Sequence, residues 1–381
     1  MLKKIKVRKR KRKPKINKLA YSENKNMSEK IKKFFNKKST KITLLVVVVV
    51  GFVVMISYFV FSGGSMDQNI EINSNATGKQ AARVLDGVSV KKGEENHYPY
   101  AVMIENLSTV RPQSGLDKAG VVYEALAEGG ITRFLAIYAT YDEIKEIGPV
   151  RSARPYYLDW VAEYSPLYAH AGGSPDAIRL IPQIDNITNL DQIGGQHAYF
   201  WRDPSRSTAS EHTLFTSSEL LAFALRDKKI TSEGNYEPWL FKKEKTASQR
   251  INEAKKITID YSTFSYKVSY TYDFENNRYM RENGDEPHTD YVTGNQLFAK
   301  NVIVQYVKTS MADSSRLAMD TIGEGGALLF QDGEMINATW EKKDQAGRTR
   351  FYNTSDGKEI ELNPGPTWVQ IVPTDRTVEY N

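Results

Sequence analysis

The stretch KSTKITLLVVVVVGFVVMISYFVFSGG, residues 38–64, divides the chain into two unequal parts. From Ile42 to Phe61 it carries no charged residue and is almost entirely apolar. A helix needs about 20 such residues to cross the roughly 30 Å hydrocarbon core of a bilayer. A cleaved secretory signal has a shorter apolar core, of about 7 to 15 residues, that ends in an A-x-A-like site. The sequence therefore predicts a single, retained transmembrane helix over residues 42–62.

The two sides of this stretch differ in charge. Residues 1–41 contain 18 Lys and Arg but only Glu23 and Glu29, whereas the rest of the chain contains 34 basic and 44 acidic residues. Positive charge beside a first membrane span stays in the cytoplasm. We therefore expect a single-pass cell-membrane protein with a basic cytoplasmic tail, residues 1–41, and its folded part outside the cell. The tail favours contact with anionic lipid headgroups, and no nucleic-acid partner is expected because no binding motif accompanies it.

Several residue types and motifs do not occur in the sequence, and this excludes several classes of chemistry. The chain has no cysteine, so it has no disulfide framework, no lipid-modified cysteine and no thiolate nucleophile. It also lacks the G-x-S-x-G elbow, the H-E-x-x-H zinc helix and the Walker loop. Its five histidines are widely dispersed. We predict neither a metal site nor a cofactor.

The extracytoplasmic part is predicted to contain four segments. Residues 63–96 are rich in Gly, Ser, Asn and charge, which is typical of a flexible linker. Residues 97–235 alternate apolar runs with helical patterns and predict an α/β domain, whereas residues 255–381 are strand-like throughout and predict a mainly-β domain. Residues 236–254 form the connector between the two domains.

Within the α/β segment, individual elements can be placed. Strands are predicted at YAVMIEN (100–106), RFLAIYATY (133–141) and PLYAHAGG (166–173), and helices at DKAGVVYEALAE (117–128), SARPYYLDWVAEYS (152–165), SPDAIRLIPQ (174–183) and SSELLAFALRDKK (217–229). A polar helix is predicted in the connector, at FKKEKTASQRINEAKK (241–256). In the β-rich segment, QDGE (331–334) and SDGK (355–358) place Asp-Gly between alternating runs, which indicates hairpin turns.

Charged residues gather at the predicted element ends of the α/β segment. Arg111 precedes a proline in a turn, and Glu124 and Glu128 are four residues apart, so that they would share one face of the helix predicted there. Three more arginines lie at the edges of neighbouring predicted elements, namely Arg133, Arg151 and Arg154. Any one such arginine is commonly part of a structural ion pair, but their number in an acidic extracytoplasmic part indicates an anion-binding site.

A further cluster lies in AHAGGSPDA (169–177) and WRDPSRSTASEHTLF (201–215). A strand that runs into Gly172, Gly173 and Ser174 at a helix start would direct free backbone N–H groups at an anion. The second stretch adds polar residues to the candidate ligand site, namely Arg202, Asp203 and Arg206, and it also contains His212. Arginine suits bidentate binding of a carboxylate or a phosphate.

The motifs RPQSGLDKAGVVYEALAEGGITRFLAIY (111–138), IGPVRSARPYY (147–157), HAGGS (170–174) and NPGPTWVQIVP (363–373) resemble the YerB-like lipoprotein family of bacterial envelope proteins. The resemblance covers residues 90–380 and implies a membrane-anchored protein exposed outside the cell, with a domain of unknown function. Members of that family often carry a lipobox cysteine, which this chain lacks. Where the family tends to show Pro-His-Asn, this chain has Glu211, His212 and Thr213.

Three functions fit these observations. The first is binding of an anionic cell-envelope component, such as a peptidoglycan peptide, a teichoic acid phosphate or a lipid-linked precursor, by the arginines and the Gly172 to Ser174 helix start. The second is a cell-wall glycan hydrolase or transferase with Glu124 or Glu128 as general acid/base and His212 assisting. The third is a scaffold that binds other envelope proteins. Charge spacing alone does not separate binding from catalysis.

Overall fold

The computed structural model describes residues 79–231, 233–251 and 255–381. All of them belong to one compact unit. The basic tail, the transmembrane helix predicted over residues 42–62 and the first part of the predicted linker lie outside the described residues. Within the described ranges, no helix is both long enough and apolar enough to cross a bilayer.

The described residues form 22 short strands. In chain order they are β1 (Gln80–Ala82), β2 (Ser89–Lys91), β3 (Tyr100–Glu105), β4 (Val121–Leu126), β5 (Thr132–Tyr138), β6 (Leu167–His170), β7 (Thr188–Asp191), β8 (Trp201–Arg202), β9 (Leu214–Phe215), β10 (Lys256–Asp260), β11 (Lys267–Asp273), β12 (Arg278–Asn283), β13 (Glu286–Pro287), β14 (Phe298–Ala299), β15 (Asn301–Val307), β16 (Thr309–Met311), β17 (Leu317–Met319), β18 (Gly323–Gln331), β19 (Glu334–Lys342), β20 (Arg350–Asn353), β21 (Thr367–Pro373) and β22 (Val378–Tyr380).

Helices are few in the described ranges. The α-helices are α1 (Pro155–Ala162), α2 (Pro175–Leu180) and α3 (Ser218–Asp227). Single 3₁₀ turns occupy Ser108–Val110, Leu116–Lys118, Glu128–Gly130, Ile181–Gln183, His197–Tyr199, Ser210–His212, Ala247–Gln249 and Phe264–Tyr266. All three α-helices lie in the predicted α/β segment, so the C-terminal part is mainly β, as predicted.

Ten strands form one large mixed sheet, in the order β20-β19-β18-β15-β21-β4-β5-β3-β6-β7. The pairs β15–β21, β21–β4, β3–β6 and β6–β7 are parallel, and the other neighbours are antiparallel. Five of these strands come from residues 97–235 and five from residues 255–381. The two predicted segments therefore share a sheet, in which β21 pairs with β4 and Trp368 lies level with Val122.

The core lies along the centre of this sheet. Every residue of β3, β4, β5 and β21 is buried, as is usual for strands that are covered on both faces. A second, six-stranded sheet contains only C-terminal strands, in the order β13-β12-β11-β10-β22, with β14 paired to β12. The Asp332-Gly333 turn joins β18 to β19, and Gly357 donates to the Asn353 carbonyl just after β20, so both Asp-Gly turns lie where the sequence predicts them.

Helix α1 packs on the centre of the large sheet. Six of its eight residues are buried. The ring of Trp160 stacks on Tyr123 of β4, with centroids 5.5 Å apart and planes at 14°. The Tyr157 hydroxyl donates to the backbone carbonyl of Arg133 in β5 at 2.6 Å. These contacts fix the start of α1, where Arg154 is the N-cap residue.

Most of the predicted elements of the α/β segment are confirmed. The predicted helices at 152–165, 174–183 and 217–229 contain α1, α2 and α3, and the three predicted strands contain β3, β5 and β6. Two predicted helices are wrong. Residues 117–128 contain β4 instead, and the described residues of 241–256 contain only a 3₁₀ turn before β10 begins.

The error at β4 has a physical cause. Val121, Val122 and Tyr123 have high strand propensity, and the neighbouring strands β5 and β21 supply hydrogen bonds on both sides. Since β21 comes from the far end of the chain, its contribution is invisible in a local window. Glu124 and Glu128 therefore do not share a helix face, because one lies in the strand and the other in the turn that follows it.

Candidate functional site

A cavity of about 250 Å³, which we call the arginine pocket, contains four of the predicted site residues. Glu105 ends β3, Glu128 lies in the turn after β4, and Arg133 belongs to β5. Arg151 and Arg154 come from the loop that leads into α1. The antiparallel pairing of β3 with β5 places Glu105 directly opposite Arg133. The fold thus brings together three of the predicted arginines and one of the predicted glutamates.

Glu128 is held by two of these arginines. Arg154 donates to both of its carboxylate oxygens, through Nη2 to Oε2 at 2.7 Å and through Nε to Oε1. Arg133 Nη2 lies 3.7 Å from the same carboxylate, and its Nη1 donates to the Ser152 carbonyl at 2.6 Å. Burial alone would raise the pKa of Glu128, but the hydrogen bonds from Arg154 and the charges of Arg154 and Arg133 outweigh it. The pKa of Glu128 is therefore lowered, and the carboxylate stays ionised at neutral pH.

Glu105 connects the arginine pocket to His212. Arg151 Nε lies 3.2 Å from Glu105 Oε1, and His212 Nδ1 lies 2.7 Å from Glu105 Oε2. An ionised carboxylate only accepts, so Nδ1 is the donor in this hydrogen bond. The other ring nitrogen, Nε2, is 3.8 Å from the nearest oxygen of Glu211, which is beyond hydrogen-bond range. His212 is thus oriented by a carboxylate and keeps Nε2 available.

The arginine pocket carries a net positive charge. Its lining holds the guanidinium groups of Arg133, Arg151 and Arg154 and the carboxylates of Glu105 and Glu128. The Arg133 side chain is 10% exposed, whereas that of Arg151 is 26% exposed. Burial, followed by the nearby charge of Arg154, lowers the pKa of Arg133, yet a guanidinium remains protonated in proteins. Arg151 is the more accessible of the two, and within the described ranges its one ion-pair partner is Glu105.

A second cavity, also of about 250 Å³, is lined by His212, Arg111 and Arg206. Arg206 is held by several groups of the protein itself. Its Nη2 donates to Glu146 at 2.5 Å and to the Ser114 hydroxyl at 2.9 Å, and its guanidinium lies 3.3 Å from the ring centroid of Tyr291. We assign Arg206 a structural role in holding the 203–213 loop.

Arg111 lies at the edge of this second cavity. Its Nε donates to Asn106 Oδ1 at 2.9 Å, and its Nη2 donates to the Asn106 carbonyl at 3.3 Å. The guanidinium also lies 5.1 Å from the ring centroid of Tyr266. Burial lowers the pKa of Arg111. Because Asn106 lines the arginine pocket, Arg111 touches its wall from the outside.

Arg202 and Asp203 lie apart from the arginine pocket. Arg202 is exposed on β8 and donates to the Ser210 carbonyl. Asp203 accepts from the Ser205 backbone N–H at 2.9 Å and from its hydroxyl at 2.7 Å, and these hydrogen bonds lower the pKa of Asp203. Both residues shape the loop that carries His212.

The predicted anion site at the start of α2 is occupied by the protein itself. Gly172 donates its N–H to Asp191 Oδ1 at 2.7 Å, and Ser174 donates its N–H to the Ala153 carbonyl at 3.2 Å. The Ser174 hydroxyl caps α2 by accepting from the Ala177 N–H, and Gly173 forms a β-bridge with Ala153. The expectation of free N–H donors is therefore wrong for Gly172, whose N–H binds the Asp191 carboxylate, and for Ser174, whose N–H binds the Ala153 carbonyl.

Glu124 is a buried structural residue. Its side chain is fully buried, and its Oε2 accepts from Arg281 Nη2 at 2.7 Å, while Thr132 donates to its Oε1 at 2.7 Å. Arg281, from β12, is equally buried. Burial disfavours the charged form of Arg281, but the Glu124 carboxylate and Tyr270 outweigh this and raise its pKa. The ion pair of Glu124 with Arg281 thus links the α/β segment to the β-rich segment, and the Glu124 side chain does not contact solvent.

His288 extends the same buried network. Arg281 Nε donates to His288 Nδ1 at 2.9 Å, which places the imidazole proton on Nε2, and this nitrogen donates to Gln113 Oε1 at 2.7 Å. Burial, followed by the charges of Arg281 and Arg111, lowers the pKa of His288 well below its ordinary value. His288 is therefore a neutral histidine of the core. Among the described residues, no group of three His, Asp or Glu could hold a metal ion.

Comparison with known proteins agrees with this architecture. Residues 85–231 match the model of the N-terminal domain of a protein family of unknown function, DUF3048, and residues 257–369 match that of its C-terminal domain. The "Putative lipoprotein YerB" of Bacillus subtilis (strain 168) is 32% identical over 302 residues, which cover 78% of this chain and 88% of that protein. The chain belongs to the YerB-like family.

The fold of the family is known from one of its members. The crystal structure of the YerB protein from Bacillus subtilis is 30% identical and matches with a TM-score of 0.69, over 78% of this chain and 99% of that one. In this YerB-like chain, Thr213 stands where the resemblance leads us to expect Asn. Its hydroxyl donates to the Ser210 carbonyl at 2.9 Å, while the preceding His212 keeps its contact with Glu105.

Sequence reasoning missed several residues of the site, namely Glu105, Asn106, Gln113, Arg281 and His288. Arg281 did leave a signal. In β12 the buried positions alternate and are Tyr279, Arg281 and Asn283, so a charged residue stands at an inward position of the strand. A buried arginine requires a carboxylate partner, and this pattern could have indicated one in another segment.

Proposed function

We propose that this YerB-like protein is anchored in the cell membrane through residues 42–62 and binds an anionic component of the cell envelope with the arginine pocket. The observation that carries the proposal is the excess of guanidinium groups over carboxylates. Arg133, Arg151 and Arg154 line the pocket with only Glu105 and Glu128 as counter-charges. One positive charge is left uncompensated in a partly dehydrated cavity, which favours an anionic ligand.

The chemistry of the pocket suits a phosphate or a carboxylate. A guanidinium presents paired N–H donors that match either group. Arg133 and Arg154 are held by Glu128 and Ser152, so they supply a preorganised positive wall, and the more exposed Arg151 supplies the contact that a ligand reaches first. The proposed ligands are a teichoic acid phosphate, a peptidoglycan peptide carboxylate or the diphosphate of a lipid-linked precursor.

The extracytoplasmic placement has two supports. The apolar stretch with its lysine-rich flank predicts a membrane span with the C-terminal part outside. The relative from Bacillus subtilis is named a lipoprotein, which is a membrane-anchored class of protein. Since this chain has no cysteine for lipid attachment, we propose that residues 42–62 replace the lipid as the anchor.

A hydrolase or transferase acting on wall polymers is the second candidate. One observation favours it, namely His212, which is oriented by Glu105 and lines a cavity with Nε2 available. The two candidate carboxylates, Glu124 and Glu128, give less support to an enzyme. A general acid needs a proton to give, and the lowered pKa of Glu128 keeps that group ionised, while Glu124 is buried against Arg281.

Incubation of the full-length chain in detergent with purified cell walls and precursors separates the two candidates. Mass spectrometry then reads both the retained material and any cleaved fragments. We expect retention without new fragments, and loss of retention in Arg151→Ala. Release of fragments by the wild type that disappears in His212→Ala would support the enzyme instead. Retention that is equal in wild type and Arg151→Ala would refute binding by the arginine pocket.

A further inference from the structure

A cavity of about 330 Å³, which we call the aromatic pocket, lies next to the arginine-rich region and has a different character. It is lined by Arg111, Pro112, Phe264, Asn283, Glu286 and Pro287, among others. Arg111 also lines the cavity that contains His212, so the two cavities share a wall. The charges of Arg111 and Glu286 cancel. The rings of Phe264, Pro112 and Pro287 form an apolar wall, and Ser265, Asn283 and Thr289 add polar groups. The aromatic pocket therefore favours a neutral ligand with both apolar and polar faces.

Phe264 supplies an exposed aromatic surface at this pocket. Its side chain is 63% exposed, and Lys267 Nζ lies 5.0 Å from its ring centroid, so the rest of the ring is open to a ligand. Gly284 packs against Phe264. A Cβ at Gly284 would lie 3.1 Å from the Phe264 carbonyl oxygen and 3.3 Å from its ring, which is tighter than ordinary contact, and its φ of +56° also favours glycine.

Asn283 supplies an unused hydrogen-bond donor at the same pocket. Arg281 Nη2 donates to one atom of its amide at 3.2 Å. Arginine only donates, so that atom is the oxygen, and the other atom is the NH₂ group. Asn283 is 7% exposed, and its Nδ2 has no hydrogen-bond partner in the described part of the chain. An unpaired buried amide is costly, and a ligand oxygen would satisfy it.

We propose that the aromatic pocket binds a single sugar ring of a glycan. The apolar C–H face of the ring would lie on Phe264, a hydroxyl or acetamido oxygen would accept from Asn283, and exposed Glu286 would accept from a sugar hydroxyl. The inference rests on the proposed function and deepens it, because it names the saccharide part of an envelope ligand whose anionic group binds in the arginine pocket.

The test uses the full-length chain in detergent and two neutral probes, triacetylchitotriose and maltotriose. Saturation-transfer NMR detects binding, and titration gives the Kd. We expect at least one probe to bind, with roughly tenfold weaker binding in Phe264→Ala, which corresponds to about 1.4 kcal/mol. Phe223→Ala is the matched control, since Phe223 is also an exposed phenylalanine but lies on α3, away from the pocket.

Asn283→Asp gives a second, nearly isosteric variant. It keeps an oxygen for Arg281 and replaces the free NH₂ donor by a second carboxylate oxygen, whose added negative charge lies beside the Arg281 guanidinium. Sugar binding should weaken because the donor is lost, and the melting temperature of the variant is measured alongside. Arg179→Ala changes an exposed arginine of α2 that pairs with Asp176, and it should leave trisaccharide binding unchanged. Absence of binding by both probes, or equal binding by wild type and Phe264→Ala, would overturn the sugar site. If anionic wall polymer is still retained by wild type and lost in Arg151→Ala, the proposed function survives that failure.

Discussion

Replacement of Glu124 by glutamine tests whether this residue is structural or catalytic. The change removes the negative charge and keeps the size of the side chain. Arg281 Nη2 lies 2.7 Å from the carboxylate, and both side chains are fully buried. The variant leaves Arg281 as a buried guanidinium with no anionic partner. We therefore expect a large loss of stability.

The size of the loss follows from the burial of the pair. Removal of one partner of a buried ion pair costs about 3–5 kcal/mol, because the remaining charge stays dehydrated. Folded domains are stable by only about 5–15 kcal/mol. For a folded unit of this size, a loss of that order lowers the melting temperature by roughly 5–15 °C. Glu128→Gln is the matched control. The Glu128 side chain is 29% exposed, so solvent partly screens its pairs with Arg154 and Arg133, and its loss should cost clearly less than that of Glu124.

Thermal unfolding followed by intrinsic tryptophan fluorescence measures both variants. Trp368 is a suitable reporter, since the Arg281 guanidinium lies 4.4 Å from its ring centroid. The double variant Glu124→Gln, Arg281→Met should lose less than the sum of the two single variants, because the groups interact directly. If Glu124→Gln melted within about 2 °C of the wild type, the buried pair would not stabilise the fold as we reason.

Two further predictions concern the buried network of Glu124, Arg281 and His288 and the turns of the β-rich part. The pKa of His288 is lowered in the folded state, so the unfolded chain takes up a proton first and stability falls as the pH drops below about 6.5. His288→Gln should therefore show a smaller fall in melting temperature between about pH 7.5 and 5.5 than the wild type, and an equal fall would contradict the assignment. In the β18–β19 turn, a Cβ at Gly333 would lie 1.7 Å from the Ile251 carbonyl oxygen at φ +75°, whereas Gly357 has φ +69° and open space. Gly333→Ala should cost more than about 3 kcal/mol in chemical denaturation and Gly357→Ala only about 1 kcal/mol, and similar costs would refute the steric argument.

The elements that the sequence predicts correctly are those with a purely local signal. Helices α1, α2 and α3 begin at Pro or Ser residues that mark N-termini, and the β18–β19 hairpin has an Asp-Gly turn. Strand β4 has no such signal. Its partner β21 lies far away in the sequence, and the spacing of Glu124 and Glu128 fits a helix as well as it fits a strand followed by a turn.

The residues of the candidate site also fall into two groups, those with a local sequence signal and those without one. Arg133, Arg151, Arg154 and Glu128 could be found because each lies at an element boundary near a glycine or a proline, and the structure places all four around one cavity. The buried half of the site depends on contacts between distant segments. Arg281 of β12 pairs with Glu124 of β4, and no local pattern shows which carboxylate an inward-facing arginine will bind.

The most direct test of the account is the affinity of the full-length chain for purified wall teichoic acid, measured at low and at high salt. Loss of a charged hydrogen bond is worth about 1.5–3 kcal/mol, so Arg151→Ala should bind at least about tenfold more weakly than wild type. Arg179→Ala removes an exposed arginine that pairs with the exposed Asp176, and it should bind as the wild type does. Equal affinity of Arg151→Ala and wild type, with unchanged melting temperature, would contradict anion binding by the arginine pocket.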